Sequence, residues 1–177
     1  MNWFMLTLVG EDRPGIVAKI TAALFQAGCN LGEATMARLG GNFTVMLMVQ
    51  YDGGSLESLR ALIDPVAQSL GLHVHADLIE GHLHQHLIPD TRVTVYGADR
   101  AGIVAQVSGA LLTAGFNILD LQSDVGGSEA KPVYIMTLEG QASNGIEAVE
   151  AALAALTHGS EPHGIEVDVQ PIETMIG

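Results

Sequence analysis

The chain has 177 residues, of which twenty are acidic and seven basic, for a formal charge of −13. Nucleic-acid affinity rests mainly on Lys and Arg neutralising phosphates. Here no two basic residues adjoin and no zinc-finger spacing or RNA-stacking motif occurs, which argues against direct DNA or RNA binding. The single cysteine, Cys29, rules out an intrachain disulfide and nothing points to an oxidising compartment. The longest strongly apolar run, Phe43 to Val49, is far short of a bilayer span of roughly 20 residues. The start, Met1-Asn2-Trp3-Phe4, lacks the basic region of a signal peptide. The expectation is a cytoplasmic protein.

In chain order, Trp3–Val9 is apolar and β-prone and predicts a strand. Gly10 to Pro14 is a loop leading into a helix. Ile16, Val17, Ile20, Ala23, Leu24 and Ala27 then form one apolar helical face, closed by Gly28. Leu31–Leu39, the turn Gly40-Gly41-Asn42 and Phe43–Tyr51 predict a hairpin. Leu56, Leu59, Leu62, Ile63, Val66 and Leu70 mark a second helix closed by Gly71, and Leu72–Ile79 a last strand. Pro65 predicts a break or kink after Asp64, because an interior proline removes a hydrogen bond and clashes with the preceding turn.

The same order then recurs. Residues 10–30, GEDRPGIVAKITAALFQAGCN, align without gaps to residues 97–117, GADRAGIVAQVSGALLTAGFN, with twelve of twenty-one positions identical. A long fixed period of this kind marks a duplicated unit. Thr91–Tyr96 predicts a strand, Ala101–Ala114 a helix, and Asn117–Val125 with Val133–Leu138 a hairpin whose turn runs from Gly126 to Pro132. Ile146, Val149, Leu153 and Leu156 mark the second helix and Ile165–Val169 the last strand. The fold class is therefore α+β: two βαββαβ, ferredoxin-like domains in tandem, residues 1–80 and 91–177, with a His-containing linker at 81–90. Each has an antiparallel four-stranded sheet with its helices on one face. The other sheet face and the edge strands remain available for pairing, between the halves or with a second copy in a homodimer.

The repeated loop-to-helix junction holds Asp12, Arg13, Gly15 and Ile16, matched by Asp99, Arg100, Gly102 and Ile103. Helix-start N–H groups and the positive dipole end favour a carboxylate, and glycine lets a ligand approach the backbone. Asp12 or Asp99 is placed to accept from an ammonium group. Asn30 and Asn117, opening the next strand, carry both donors and acceptors. Carboxylate plus ammonium describes a free amino acid. The same residues equally fit a purely structural role, with Asp as helix N-cap and the asparagines shaping a turn.

The run Asp-Arg-Pro-Gly-Ile-Val after a strand, an amphipathic helix, then Gly-Cys-Asn-Leu opening a second strand resembles the ACT domain, and the resemblance recurs once per half. The stretch CNLGEATMARLGGNFTVMLMV is similar to the glycine cleavage system transcriptional repressor family, whose members are tandem ACT domains. The resemblance implies a non-catalytic regulator that senses glycine or a similar small amino acid and acts on a transcriptional activator by protein contact. It implies an effector site around Arg13, Gly15 and Ile16, with side chains at 12 and 30, and a second around Arg100, Gly102 and Ile103, with side chains at 99 and 117. No cofactor and no metal are expected.

Two alternatives stay open. One is a ligand-free assembly module whose sheets pair with other chains. The other is a metal-handling protein using His82, His84 and His86, with His73 and His75 just before them, since alternate histidines in an extended segment lie on one side. Cys29 aligns with Phe116, which predicts a buried, inert thiol. No nucleophile elbow, P-loop, dinucleotide fingerprint or metalloprotease helix is present.

Overall fold

The structure, a computed structural model, describes residues 2–52, 54–79, 87–98, 101–128, 131–157 and 165–173. The chain divides into two compact units, Met1–Leu83 and His84–Gly177. The first runs β1 (Asn2–Glu11), α1 (Ile16–Gln26), β2 (Asn30–Leu39), β3 (Asn42–Tyr51), α2 (Leu56–Ser69) and β4 (His73–Ile79). The second repeats it as β5 (Thr91–Ala98), α3 (Ile103–Thr113), β6 (Phe116–Ser128), β7 (Lys131–Ala142), α4 (Ile146–Thr157) and β8 (Ile165–Pro171). The sheets are ordered β2-β3-β1-β4 and β6-β7-β5-β8, with every pairing antiparallel. This is the βαββαβ, ferredoxin-like plan in both halves.

Alternation sets the core. In β1 the buried Phe4, Leu6 and Leu8 lie opposite Val49, Leu47 and Val45 of β3. They meet Ile16, Ile20 and Leu24 of α1 and Leu59, Ile63 and Ala67 of α2 in one cluster. In the second unit Val93, Val95, Met136 and Leu138 meet Val107, Leu111, Val149 and Leu153 in the same way. Both helices cover one face of each sheet, so residues of opposite parity line an open face. Gly40 and Gly41, at φ 56° and 77°, make the two-residue turn between Leu39 and Asn42, a conformation that matches strand twist.

Two expectations need correction. Pro65 does not break α2, which continues from Leu56 to Ser69 with the proline inside it. The buried Leu59, Ile63 and Ala67 bracket the exposed Pro65, so packing on both sides of it outweighs one lost backbone bond. The second hairpin is also longer than its glycines suggest. Gly126 pairs with Val133, the last partner of β5, and Gly127 and Ser128 pair with Pro132 and Lys131 beyond the end of β5. Pro132 therefore has no β5 neighbour needing its missing N–H.

Of the expected linker, residues 81–86 lie outside the described residues, while Asp90 is tied into the second unit. Its N–H donates to the Gly140 carbonyl at 2.9 Å, and its Oδ1 accepts from the Ala142 N–H at 3.0 Å and the Thr91 hydroxyl at 2.8 Å.

The exposed proline carries the first prediction. Pro65→Ala restores an N–H inside α2 with no buried contact removed, and should raise unfolding stability by roughly 1–3 kcal/mol, read from urea midpoints at unchanged m-value.

Candidate functional site

The loop after β1 carries the site in the first unit. The Asp12 N–H donates to the Gly41 carbonyl at 3.0 Å, which fixes the loop against the β2–β3 turn. The chain then enters α1 through Gly15, the N-cap residue, at φ 87° in the left-handed region. No side chain caps the helix. The structural role considered for Asp12, as N-cap, is therefore not the one it performs. Its carboxylate instead pairs with the guanidinium of Arg38 on β2, with the Asp12 side chain 24% exposed and Arg38 68%. Arg13 pairs with Glu11.

Arg38 lies opposite Phe43 in the β2–β3 ladder, and Phe43 is buried in the helix-side core. Directly opposed residues share a face, so Arg38 projects from the edge strand toward the α1 side of the sheet. Between the first turn of α1 and this strand lies a cleft of about 860 Å³. Asp12, Arg13 and Arg38 supply its charge; Val17, Met36 and Phe43 supply apolar wall. Of the sequence-predicted residues, Asp12, Arg13, Gly15 and Ile16 meet here.

Asn30 does not join them. It opens β2 beside the other end of α1, an eleven-residue helix about 16 Å long at 1.5 Å per residue. It lines a different cleft of about 540 Å³, with Thr21, Phe25 and Cys29. Its side-chain amide donates to Gln50 Oε1 at 3.5 Å. Cys29 is buried, and burial pushes its thiol pKa up; its counterpart Phe116 is buried as well.

In the second unit Gly102 repeats the geometry, an uncapped N-cap glycine at φ 88° leading into Ile103. Asp99 and Arg100 lie outside the described residues. Asn117 sits opposite Gln141 as Asn30 sits opposite Gln50. The copies differ at the edge strand. Val125, opposite Tyr134, occupies the place of Arg38, and Ser123, opposite Met136, the place of Met36. The second unit thus lacks the arginine that faces Asp12 in the first. Among the described residues no group of three or more His, Cys, Asp and Glu is arranged to hold a metal ion, and His82, His84 and His86 lie outside them.

Sequence reading missed Arg38, Met36 and Phe43. The signal was available: with Gly40-Gly41 as a two-residue turn, Arg38 must oppose Phe43, which places a charge at a core-side position of an edge strand.

Residues 2–77 match the family model of the ACT domain. UPF0237 protein YjhC of Lactococcus lactis is 31% identical over 71 residues, 40% of this chain and 82% of that protein. The glycine cleavage system transcriptional repressor of Escherichia coli is 38% identical over 48 residues, which span 27% of this chain and only 25% of the repressor. Two solved structures share the fold over the whole length. One is an unknown protein from Galdieria sulphuraria, with TM-score 0.73, 23% identity and 97% and 99% of the two chains covered. The other is a presumed glycine cleavage system transcriptional repressor, with TM-score 0.67, 18% identity and 98% of each chain covered.

Two outcomes test this local structure. Gly15→Ala finds open space for its methyl group but must hold φ near 87°, and should cost about 1–2 kcal/mol in urea denaturation. The Cys29 thiol should react with a disulfide reagent at pH 8 far more slowly in the folded protein than in about 8 M urea, because both burial and its raised pKa withhold the thiolate.

Proposed function

Since the chain belongs to the ACT-domain family, as two ACT folds in tandem, we propose that it is a non-catalytic, cytoplasmic regulator that binds glycine or a similar small amino acid in the first-unit cleft. Binding changes its contact with a partner protein. On the family resemblance drawn from the sequence, that partner is a transcriptional activator; the Escherichia coli relative is itself named a transcriptional repressor of the glycine cleavage system. The charge of −13 supports contact with protein in place of nucleic acid.

The observation that carries this reading is the Asp12–Arg38 pair beside the uncapped start of α1. A zwitterion matches both charges at once. Its carboxylate takes the α1 N–H groups and the Arg38 guanidinium, and its ammonium takes Asp12. A solvent-facing ion pair is worth only about 0–1 kcal/mol, so a ligand exchanges for it at small cost. Five heavy atoms at the ceiling of roughly −1.5 kcal/mol each limit glycine to a dissociation constant of a few micromolar at best; tens of micromolar to millimolar is the expected range.

A second reading rests on β2, where Leu31, Met36 and Leu39 are all exposed on an edge strand. Such an edge suits a ligand-free assembly module.

Calorimetric titration of the dialysed protein with glycine, serine and alanine separates the two. A sensor gives saturable binding at one site per chain, because Val125 replaces the arginine in the second unit. Asp12→Ala and Arg38→Met should each weaken it about tenfold or more. Asn30→Ala, at the far end of α1, should leave it within about twofold, since distant sites act independently. Flat titrations together with concentration-dependent self-association would favour the assembly module.

A further inference from the structure

Resting on the amino-acid-sensor reading just given, and departing from its choice of glycine, we infer that the ligand of the first-unit cleft is an α-amino acid with an extended apolar side chain, such as leucine or methionine. Apolar side chains line the cleft beside its charged groups. Met36 and Arg38 are two residues apart on β2 and lie opposite Val45 and Phe43, both buried on the helix side. Met36 therefore projects to the same side as Arg38, one step further along the strand. It is 55% exposed, and Val17 on the α1 wall is 45% exposed; both line the cleft, with Phe43, 3% exposed, beneath them.

The cleft is thus amphiphilic: a carboxylate–guanidinium pair beside two half-wet apolar side chains on facing elements. Glycine engages the pair and leaves Val17 and Met36 in water. A four-carbon or thioether side chain extends onto both and removes apolar area from water, which is favourable in proportion to that area. The volume of about 860 Å³ leaves room for such a chain. In the second unit the same two strand positions hold Ser123 and Val125, so the order of polar and apolar groups is reversed there. The amphiphilic arrangement belongs to the first unit among the described residues.

The test is calorimetric titration of the full chain with glycine, leucine and methionine, and with two head-group analogues of leucine, 4-methylpentanoate and 3-methylbutylamine. Leucine or methionine should bind at least about tenfold tighter than glycine. Each analogue, lacking one charge, should bind at least about tenfold weaker than leucine. Met36→Ser, which installs the residue found at the equivalent place in the second unit, should bring leucine to within about threefold of glycine. Should that variant fail to fold by circular dichroism, Val17→Thr makes the same comparison from the opposite wall. Glycine binding as tightly as leucine overturns this inference and leaves the amino-acid reading standing. Binding of 4-methylpentanoate as tight as that of leucine overturns it through the head group. No saturable binding by any amino acid overturns both.

Discussion

A glycine held at φ 87° in the first unit and 88° in the second launches the first helix of each. The constraint lies in the backbone and not in space, since a methyl group at Gly15 or Gly102 would meet no atom within 4 Å. An L-residue in that region costs about 1–2 kcal/mol. Because the turn is made by glycine, no Ser, Thr, Asp or Asn closes the helix start, and its first N–H groups have no side-chain cap. Asp12, released from a capping role, reaches Arg38 on the edge strand. The charge layout of the site follows from that one backbone torsion.

The second consequence of the plan is an open sheet face on each unit, and the two faces differ in character. In the second unit the register gives rows across the sheet. Asp124, Ile135, Tyr96 and Glu166 form one; Gln122, Thr137, Thr94 and Asp168 the next; Asp120, Glu139, Arg92 and Gln170 the third. Of these twelve residues Arg92 alone is cationic, and it pairs with Glu139 at 2.7 Å. Residues 84–177 hold twelve of the twenty acidic residues and three of the seven basic ones. In the first unit the open face instead carries Trp3, Met5, Met46 and Met48, with the Trp3 ring so close over Gly32 that a Cβ there would lie 2.8 Å from it. Among the described residues, neither surface offers phosphates a cationic track.

The elements were legible because periodicity and punctuation agree. Ile16, Ile20 and Leu24 give the helical period, Gly28 at φ 77° ends the helix, and Gly40-Gly41 fixes the hairpin register. Where the reading failed, a nonlocal term decided. Pro65 looked like a breaker because its cost is local, whereas the burial of Leu59, Ile63 and Ala67 around it belongs to the packed unit. Gly126 and Gly127 looked like a turn, yet strand pairing carries through both. The loop residues of the site were visible as a repeat. Arg38 was not, because it falls outside the repeated twenty-one residues and acquires meaning only when the hairpin folds it against Asp12. Asn30 was grouped with the loop by the repeat, although a helix length separates them.

Duplication explains that pattern. The stretch shared most closely by both copies, from the loop through the first helix, contains what any copy needs in order to fold: the left-handed glycine, the buried face of the helix and the glycine that ends it. The edge strand is under no such demand. Most of β2 is exposed, and so is most of β6, so residues there change at little cost to the core. Met36 and Arg38 in one copy, and Ser123 and Val125 in the other, occupy equivalent register positions with opposite polarity. The polarity of the strand that faces the helix start is therefore set where packing constrains it least, and two copies with nearly the same helix carry different side chains there.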